Sequence, residues 1–396
     1  MAPPAACFQW SDTTRLLLRG RPLDDPAQDG ATARDLHALR VAIRAEAEFT
    51  VGPEGIGRVP GGAPGWFRSR SSGTTGAAKT IRRSHGSWIA SFEVNRAALG
   101  LGQGDVYAIL GAPAHSLALY GIVEAAHLGA DLHCVEGMRP DRQAACLATA
   151  GATVLYATPT QLRLLCDAGA PLPALRHILC GGGRMPAGLR ARIAALCPNA
   201  VLREFYGAAE TSFIAWGDAA TPEGAVGRPY PGVEIRIAPS RGHFGEIWVR
   251  SPYLFEGYAE GGSPETRWQD GFVTVGEMGA LDAEGNLTVA GRRKRMVTIA
   301  DQNVFPEDIE ATLLADPQLT HCAVVPLPDS KRGHVLVAVI AAPAAPGTAE
   351  RLLRRGREIF GTLTAPRRVV EMDDFPLTVS GKPDLGEIAR RLEAGA

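Results

Sequence analysis

The sequence predicts an α/β protein: a large N-terminal domain on a doubly wound, mostly parallel sheet with a β-rich subdomain, then a small C-terminal α+β domain. Three observations predict it. Short apolar runs alternate with helical stretches across residues 65–207. The pattern changes to short strands over 213–289, and after a basic stretch at 291–297 a compact helix–strand unit closes the chain. The length also suggests two or three domains, at about 150 residues each.

Residues 1–60 are poorly periodic and rich in Pro, Gly and Asp, with one helix at 32–48. Strands follow at 105–110, 131–135, 152–157, 176–180 and 201–205, where β-branched and aromatic residues cluster. Helical stretches at 85–99, 116–128, 139–149, 159–168 and 186–196 separate them, with Pro159 and Pro186 near helix starts, where a missing N–H costs least. The β-rich part shows strands at 232–238, 245–250, 271–275 and 286–289. The last unit reads as a helix at 306–315, strands at 320–326 and 334–341, and helices near 347–360 and 384–393. Two domains result, 1–291 and 292–396.

Composition narrows the function. With 45% hydrophobic and 21% charged residues the chain has the material for a large core. A formal charge of -1 gives no bulk attraction for nucleic acid or an anionic membrane. The N-terminus lacks a basic start and apolar core, and no apolar run is long enough to span a bilayer. Seven scattered cysteines without C-x-x-C argue for reduced thiols and against zinc, so a cytoplasmic location is expected.

The run from Arg70 to Lys79 concentrates the chemistry. Gly73 and Gly76 permit φ > 0, which turns N–H groups into a concave anion site. Ser71, Ser72, Thr74 and Thr75 add hydroxyls, and Lys79 adds a positive charge. A Walker A loop fails at one position, since Ala78 stands where its last glycine belongs, and no Walker B strand is present. A surface turn that binds nothing remains the other reading of the loop taken alone.

Further signatures follow in order: Tyr206-Gly207-Ala208-Ala209-Glu210, Gly245-Glu246-Ile247 with Gly257-Tyr258, Val275-Gly276-Glu277, Gly291-Arg292-Arg293-Lys294, Asn303-Val304-Phe305-Pro306, and Pro376 to Lys382. Together, from Arg70 onward, they resemble the adenylate-forming superfamily of acyl- and aryl-CoA synthetases, carrier-protein-loading adenylation domains and luciferases. The resemblance implies ATP, Mg²⁺ and a thiol acceptor, either CoA or carrier-protein phosphopantetheine. It places Ser71 to Lys79 on the ATP phosphates with Thr74 toward the metal, and His85 just behind. It assigns Glu210 to Mg²⁺, Tyr206 and Gly207 to the adenine side, and Gly182 and Gly183 to the glycine turn along the adenine. Glu277 and Arg292 hold the ribose, Lys294 is the hinge of a mobile C-terminal domain, and Lys382 is the lysine that enters for adenylation.

Such residues suit the chemistry. A carboxylate becomes a good electrophile once it attacks the α-phosphorus and carries AMP as leaving group. Alignment and charge dominate that displacement, and a hinge lets a thiol replace the lysine afterwards.

The chain also departs from the pattern. Ala209 replaces a hydroxyl, Glu277 replaces an aspartate, Asp301 replaces a glycine, and the segment before the phosphate loop is short. No acid occurs across residues 111–121, which disfavours an α-amino acid. His115, Tyr120, Gly121, Ala208 and Ser212 are the candidate acid-binding residues, and an aryl or modest acyl carboxylate fits them. Arg351, Arg354, Arg355 and Arg357 read first as a solvated helix face, with a carrier protein or CoA phosphate as the alternative. The expected activity is an ATP-dependent acid–thiol ligase; thiol-to-thiol acyl transfer and a non-catalytic nucleotide-binding relative are the rivals.

Overall fold

The structure is a computed structural model that describes residues 6–25, 30–71, 79–186, 188–239, 243–299, 302–316, 318–329, 333–378 and 382–394. Apolar strands such as Val154–Ala157, buried along its whole length, need cover on both faces and so sit inside a sheet. That sheet has nine strands. Its central run is parallel, in the order Val201–Ala208, His177–Cys180, Val154–Ala157, Val106–Ile109, Asp131–Cys134 and Leu16–Leu18. Alternate residues feed two separate cores. Tyr107, Ile109 and Tyr156 pack with Phe92 and Leu119, whereas Ala108, Leu155 and Ile178 pack with Leu147, Leu165 and Ile193. Helices His85–Leu99 and Ser116–Leu128 therefore cover one face, and Pro140–Ala150, Pro159–Ala168 and Leu189–Leu196 the other. This is the doubly wound arrangement.

The described residues up to 60 carry more secondary structure than their weak periodicity suggests. The first helix ends at Arg44, and strands Phe49–Gly52 and Gly55–Arg58 follow it as a hairpin. They join Trp66–Ser71, Lys79–Ser84 and Gly257–Glu260 in a five-stranded sheet. The strands on either side of residues 72–78 thus form one antiparallel pair, with Ser71 opposite Lys79.

A six-stranded sheet contains Gly245–Arg250, Glu277–Leu281 and Leu287–Arg292, and pairs Glu277 opposite Arg292. The chain then makes a single 3-10 turn, Arg293–Arg295, and a two-stranded ribbon. Beyond it, strands Cys322–Asp329, Gly333–Ala341 and Arg368–Met372 form a sheet; the last was not foreseen. Val324 and Ala338 pack under helices Pro306–Leu314 and Thr348–Thr364, while Val325 and Val339 pack under Leu385–Ala394. Across the junction, Arg184 pairs with Asp308 at 3.0 Å and the Arg292 N–H donates to Glu307 Oε1 at 3.2 Å. Met278, Ala290 and Phe305 pack together there.

Candidate active site

The turn carrying Glu210 is the geometric centre. It connects the last parallel strand, Val201–Ala208, to the antiparallel Ser212–Gly217, with a register shift at Tyr206 and Gly207. Glycine is required at 207 because a Cβ there would lie 1.9 Å from the Ser212 carbonyl oxygen. Ser212 itself has φ 55°, a left-handed conformation that costs an L-residue energy. Its Oγ accepts a 3.1 Å hydrogen bond from Trp88 Nε1, and the Thr211 hydroxyl receives the Ala208 N–H.

Glu210 is half-buried. Its backbone oxygen accepts from the Phe255 N–H at 2.9 Å, and Tyr258 OH donates to its Oε1 at 2.8 Å. Strand Gly257–Glu260 carries Tyr258, so the five-stranded sheet reaches this turn directly. Lys79 Nζ lies 5.8 Å from the centre of the same tyrosine ring. Ser72, Gly73, Thr74, Thr75 and Gly76 lie outside the described residues, as does Asp301; Ser71 ends the first strand of the pair.

On the strand that leads into this turn, Tyr206 OH donates to Glu277 Oε2, and Arg292 Nε lies 3.8 Å from Glu277 Oε1. Burial raises the Glu277 pKa, opposed first by Arg292 and then by the Tyr206 bond. Glu210 and Lys382 also act on Glu277, in opposite directions. Lys382 is exposed, yet it sits close enough to protein that desolvation, then Arg292, lowers its pKa against the pull of Glu277. Lys294 occupies the 3-10 turn, and desolvation, then Arg292 and Lys79, lowers its pKa too. Glu210, Glu277, Arg292, Lys79, Lys294 and Lys382 therefore share one electrostatic neighbourhood, although residues 79 and 382 lie far apart in the sequence.

Gly182, at φ 84°, and Gly183 are exposed beside Pro159, and Arg184 follows with its bridge to Asp308. His115 is exposed at the start of helix Ser116–Leu128. Tyr120 is buried, edge-on to Trp88 and Phe213 at 5.1 Å each, with its OH bonded to Ser91. Ala208 and Ser212 are half-buried next to that aromatic wall.

Two residues lie elsewhere than expected. His85 is a core residue, stacked on Phe8 at 3.9 Å; its Nδ1 accepts the Phe8 N–H, and burial lowers its pKa to about 4. Gly121 faces the core as well, since a Cβ would meet Ile109 at 2.9 Å and Tyr156 at 3.1 Å. Tyr258, Trp88 and Arg83 were not anticipated as site residues. The only sequence signal for them was the Gly257-Tyr258 pair, which carried no assigned role.

Among the described residues no group of three or more His, Cys, Asp or Glu could hold a metal. Mg²⁺ needs only one or two carboxylates when substrate phosphates complete its shell, and the Glu210 carboxylate, held through one oxygen, fits that demand. Cys134, Cys146, Cys166, Cys180, Cys197 and Cys322 are free thiols, and no helix among the described residues is long and apolar enough to cross a membrane.

Comparison with known proteins identifies relatives of both parts of the chain. Residues 71–259 match the AMP-binding enzyme family and residues 308–382 the AMP-binding enzyme C-terminal domain. An uncharacterised acyl-CoA ligase of Bacillus subtilis, YhfT, is 33% identical over 83% of this chain and 69% of its own length. The salicyl-AMP ligase/salicyl-S-ArCP synthetase of Mycobacterium tuberculosis is 32% identical over 81% of this chain and 60% of its own. In fold, the chain is similar to the o-succinylbenzoate CoA synthetase of Bacillus subtilis in complex with ATP and magnesium, with TM-score 0.73 and 23% identity, over 82% of this chain and 69% of that one. With both parts matched in sequence order and a relative this similar across most of its length, the chain belongs to the adenylate-forming AMP-binding enzymes, the AMP-forming acid–thiol ligases.

Proposed function

We propose that this protein activates a carboxylic acid, aryl or modest acyl, with ATP and Mg²⁺ and transfers it to the thiol of CoA or of a carrier-protein phosphopantetheine. The convergence of Lys382 with Glu277, Arg292 and Glu210 supports this most. No independent feature of the fold requires a C-terminal lysine to meet a strand-end carboxylate of the other domain.

Each residue has a defined task. Lys79 and Lys294 offer positive charge on the phosphate side of the cleft. Glu277 and Arg292 present an acceptor and a donor side by side, Nε 3.8 Å from Oε1, as partners for ribose hydroxyls. Bound Mg²⁺ would neutralise phosphate charge, with Glu210 as its protein ligand. Lys382 stabilises the negative charge that grows on the transferring oxygens, which is worth most where water is thinned out. Trp88, Tyr120 and Phe213, packed edge-on, form an apolar wall behind Ala208 and Ser212, which suits an aryl acid. The names of the two relatives support the two acceptors, CoA for one and an aryl carrier protein for the other.

Carboxylate-dependent exchange of pyrophosphate into ATP, screened over aryl and acyl acids, tests the reading. Exchange is expected with at least one acid and should fall about 10²–10³-fold in Lys382→Ala, the loss of one preorganised transition-state donor. ATP binding without exchange for any acid would support the thiol-to-thiol or non-catalytic rivals instead. Offering CoA against a carrier protein then separates the acceptors.

A further inference from the structure

Arg83 is almost completely buried, 2% exposed, on strand Lys79–Ser84 immediately after the phosphate loop. Among the described residues no carboxylate lies within ion-pair distance of it. Its partners are two backbone carbonyls and a hydroxyl: one guanidinium nitrogen donates to the Tyr253 oxygen and to Ser87 Oγ at 3.1 Å, the other to the Ala209 oxygen at 2.7 Å. The guanidinium also lies 6.0 Å from the centre of the Trp88 ring. Burial lowers its pKa to about 10, so it stays charged at neutral pH, with Glu210 as the acid that most favours that charge.

A buried, unpaired cation is a poor way to fill a core, because an apolar side chain of similar volume avoids its desolvation. The position of its bonds gives a better account. Ala209 O belongs to the peptide that leads into Glu210, so the guanidinium fixes that peptide's orientation. Tyr253 O belongs to the segment whose Phe255 N–H holds the Glu210 carbonyl and whose Tyr258 holds its carboxylate. Trp88 binds the far end of the turn at Ser212. Arg83 thus ties the strand behind the phosphates to both walls of the turn.

We propose that Arg83 is a positioning residue: through Ala209 O and Tyr253 O it holds the Glu210 turn in the shape that receives a nucleotide-bound divalent cation. Residue 209 is an alanine with no side-chain hydroxyl, and Arg83 holds the turn through that residue's backbone oxygen. This rests on the reading of Glu210 as the Mg²⁺ acid, but it can be tested without turnover.

The experiment measures ATP affinity by calorimetry with and without Mg²⁺, in the parent and in Arg83→Met and Arg83→Lys. The parent should bind ATP more tightly with Mg²⁺. Both variants should lose at least fivefold of that Mg²⁺ enhancement, with metal-free affinity within twofold of the parent. Lysine keeps the charge but not the forked geometry, so an Arg83→Lys protein with the parent's enhancement would overturn the proposal. Equal loss of metal-free and Mg²⁺-dependent binding would overturn it too, as a merely structural effect. If neither variant folds, Trp88→Phe removes the indole N–H from Ser212 and should lower the Mg²⁺ enhancement; a folded Trp88→Phe protein without that shift counts against the proposal. Failure of the parent to exchange pyrophosphate would sink the proposed function and leave this measurement standing.

Discussion

Replacing Gly207 by alanine should cripple the site while leaving the protein folded. The added Cβ would lie 1.9 Å from the Ser212 oxygen and 2.9 Å from its carbonyl carbon, whereas real Cβ atoms essentially never come under 3.0 Å. Both clashing atoms are backbone, so no rotamer change relieves them. Strands Val201–Ala208 and Ser212–Gly217 must part by about 1 Å at their turn, in an interior with little free volume. Overpacking of this kind costs about 1–3 kcal/mol, which lowers the melting temperature by several degrees. Glu210 sits in the displaced turn, three residues on. A misplacement of about 1 Å in a reacting group is worth roughly 10²-fold in rate. The expected result is therefore a folded protein whose pyrophosphate exchange falls about 100-fold in kcat/KM. Gly104→Ala is the control, because nothing lies within 4 Å of its Cβ. A folded Gly207→Ala protein that exchanges within about threefold of the parent would refute the reasoning, since the turn would then tolerate displacement.

Gly121→Ala crowds Ile109 and Tyr156, so it should cost about 1–3 kcal/mol of stability in a melt and leave the order of preferred acids unchanged. An altered acid preference would restore Gly121 to the pocket. Glu277→Ala removes the acceptor held by Tyr206 and Arg292, and the KM for ATP in the exchange assay should rise roughly tenfold to hundredfold, the worth of a charge-assisted hydrogen bond of about 1.5–3 kcal/mol. A larger effect on the acid's KM than on ATP's would refute that assignment. Two buried groups set opposing pH dependences. Glu124, held by Tyr156, Tyr107 and Asn95, is raised by burial to about 7 from 4.5, so the folded state binds the extra proton between those values and stability falls as pH rises through them. His85, lowered to about 4 from 6.5, makes the unfolded state bind the extra proton, and stability falls as pH drops through that window. His85→Gln removes that second contribution, so the parent's melting temperature should fall relative to the variant's as pH drops from about 6.5 to about 4; a parent–variant difference that stays constant over that range would contradict the sign.

What the sequence disclosed and what it concealed divide along one physical line. The parallel sheet was legible because its strands are buried on both faces and so are continuously apolar, as in Val154–Ala157 and His177–Cys180, with helices of clear period between them. The five-stranded sheet was not, because strands Trp66–Ser71 and Lys79–Ser84 carry four arginines and few apolar residues, with Arg83 at an inward position beside Ile81. Glu48 and Glu54 neutralise two of these arginines from other segments, and Trp66 stacks on Arg82 at 3.9 Å. The pairing of Gly257–Glu260 with Lys79–Ser84 joins parts of the chain far too distant for any window to see. Strand Arg368–Met372 was missed for a similar reason: its parallel partner, Gly333–Ala341, lies beyond a whole helix. The site followed the same division. Glycine, hydroxyl and lysine packed into ten residues announce an anion loop locally, and Glu210 stands at a strand end whose position the alternation supplies. Arg83 gave no such signal, since an arginine in a basic run is ordinarily a solvated charge. Only the fold shows that this one is enclosed and spends its hydrogen bonds on the backbone that carries Glu210. Groups that meet a ligand directly can be read from the types of residue the ligand needs; groups that hold those residues in place depend on contacts that the fold alone creates.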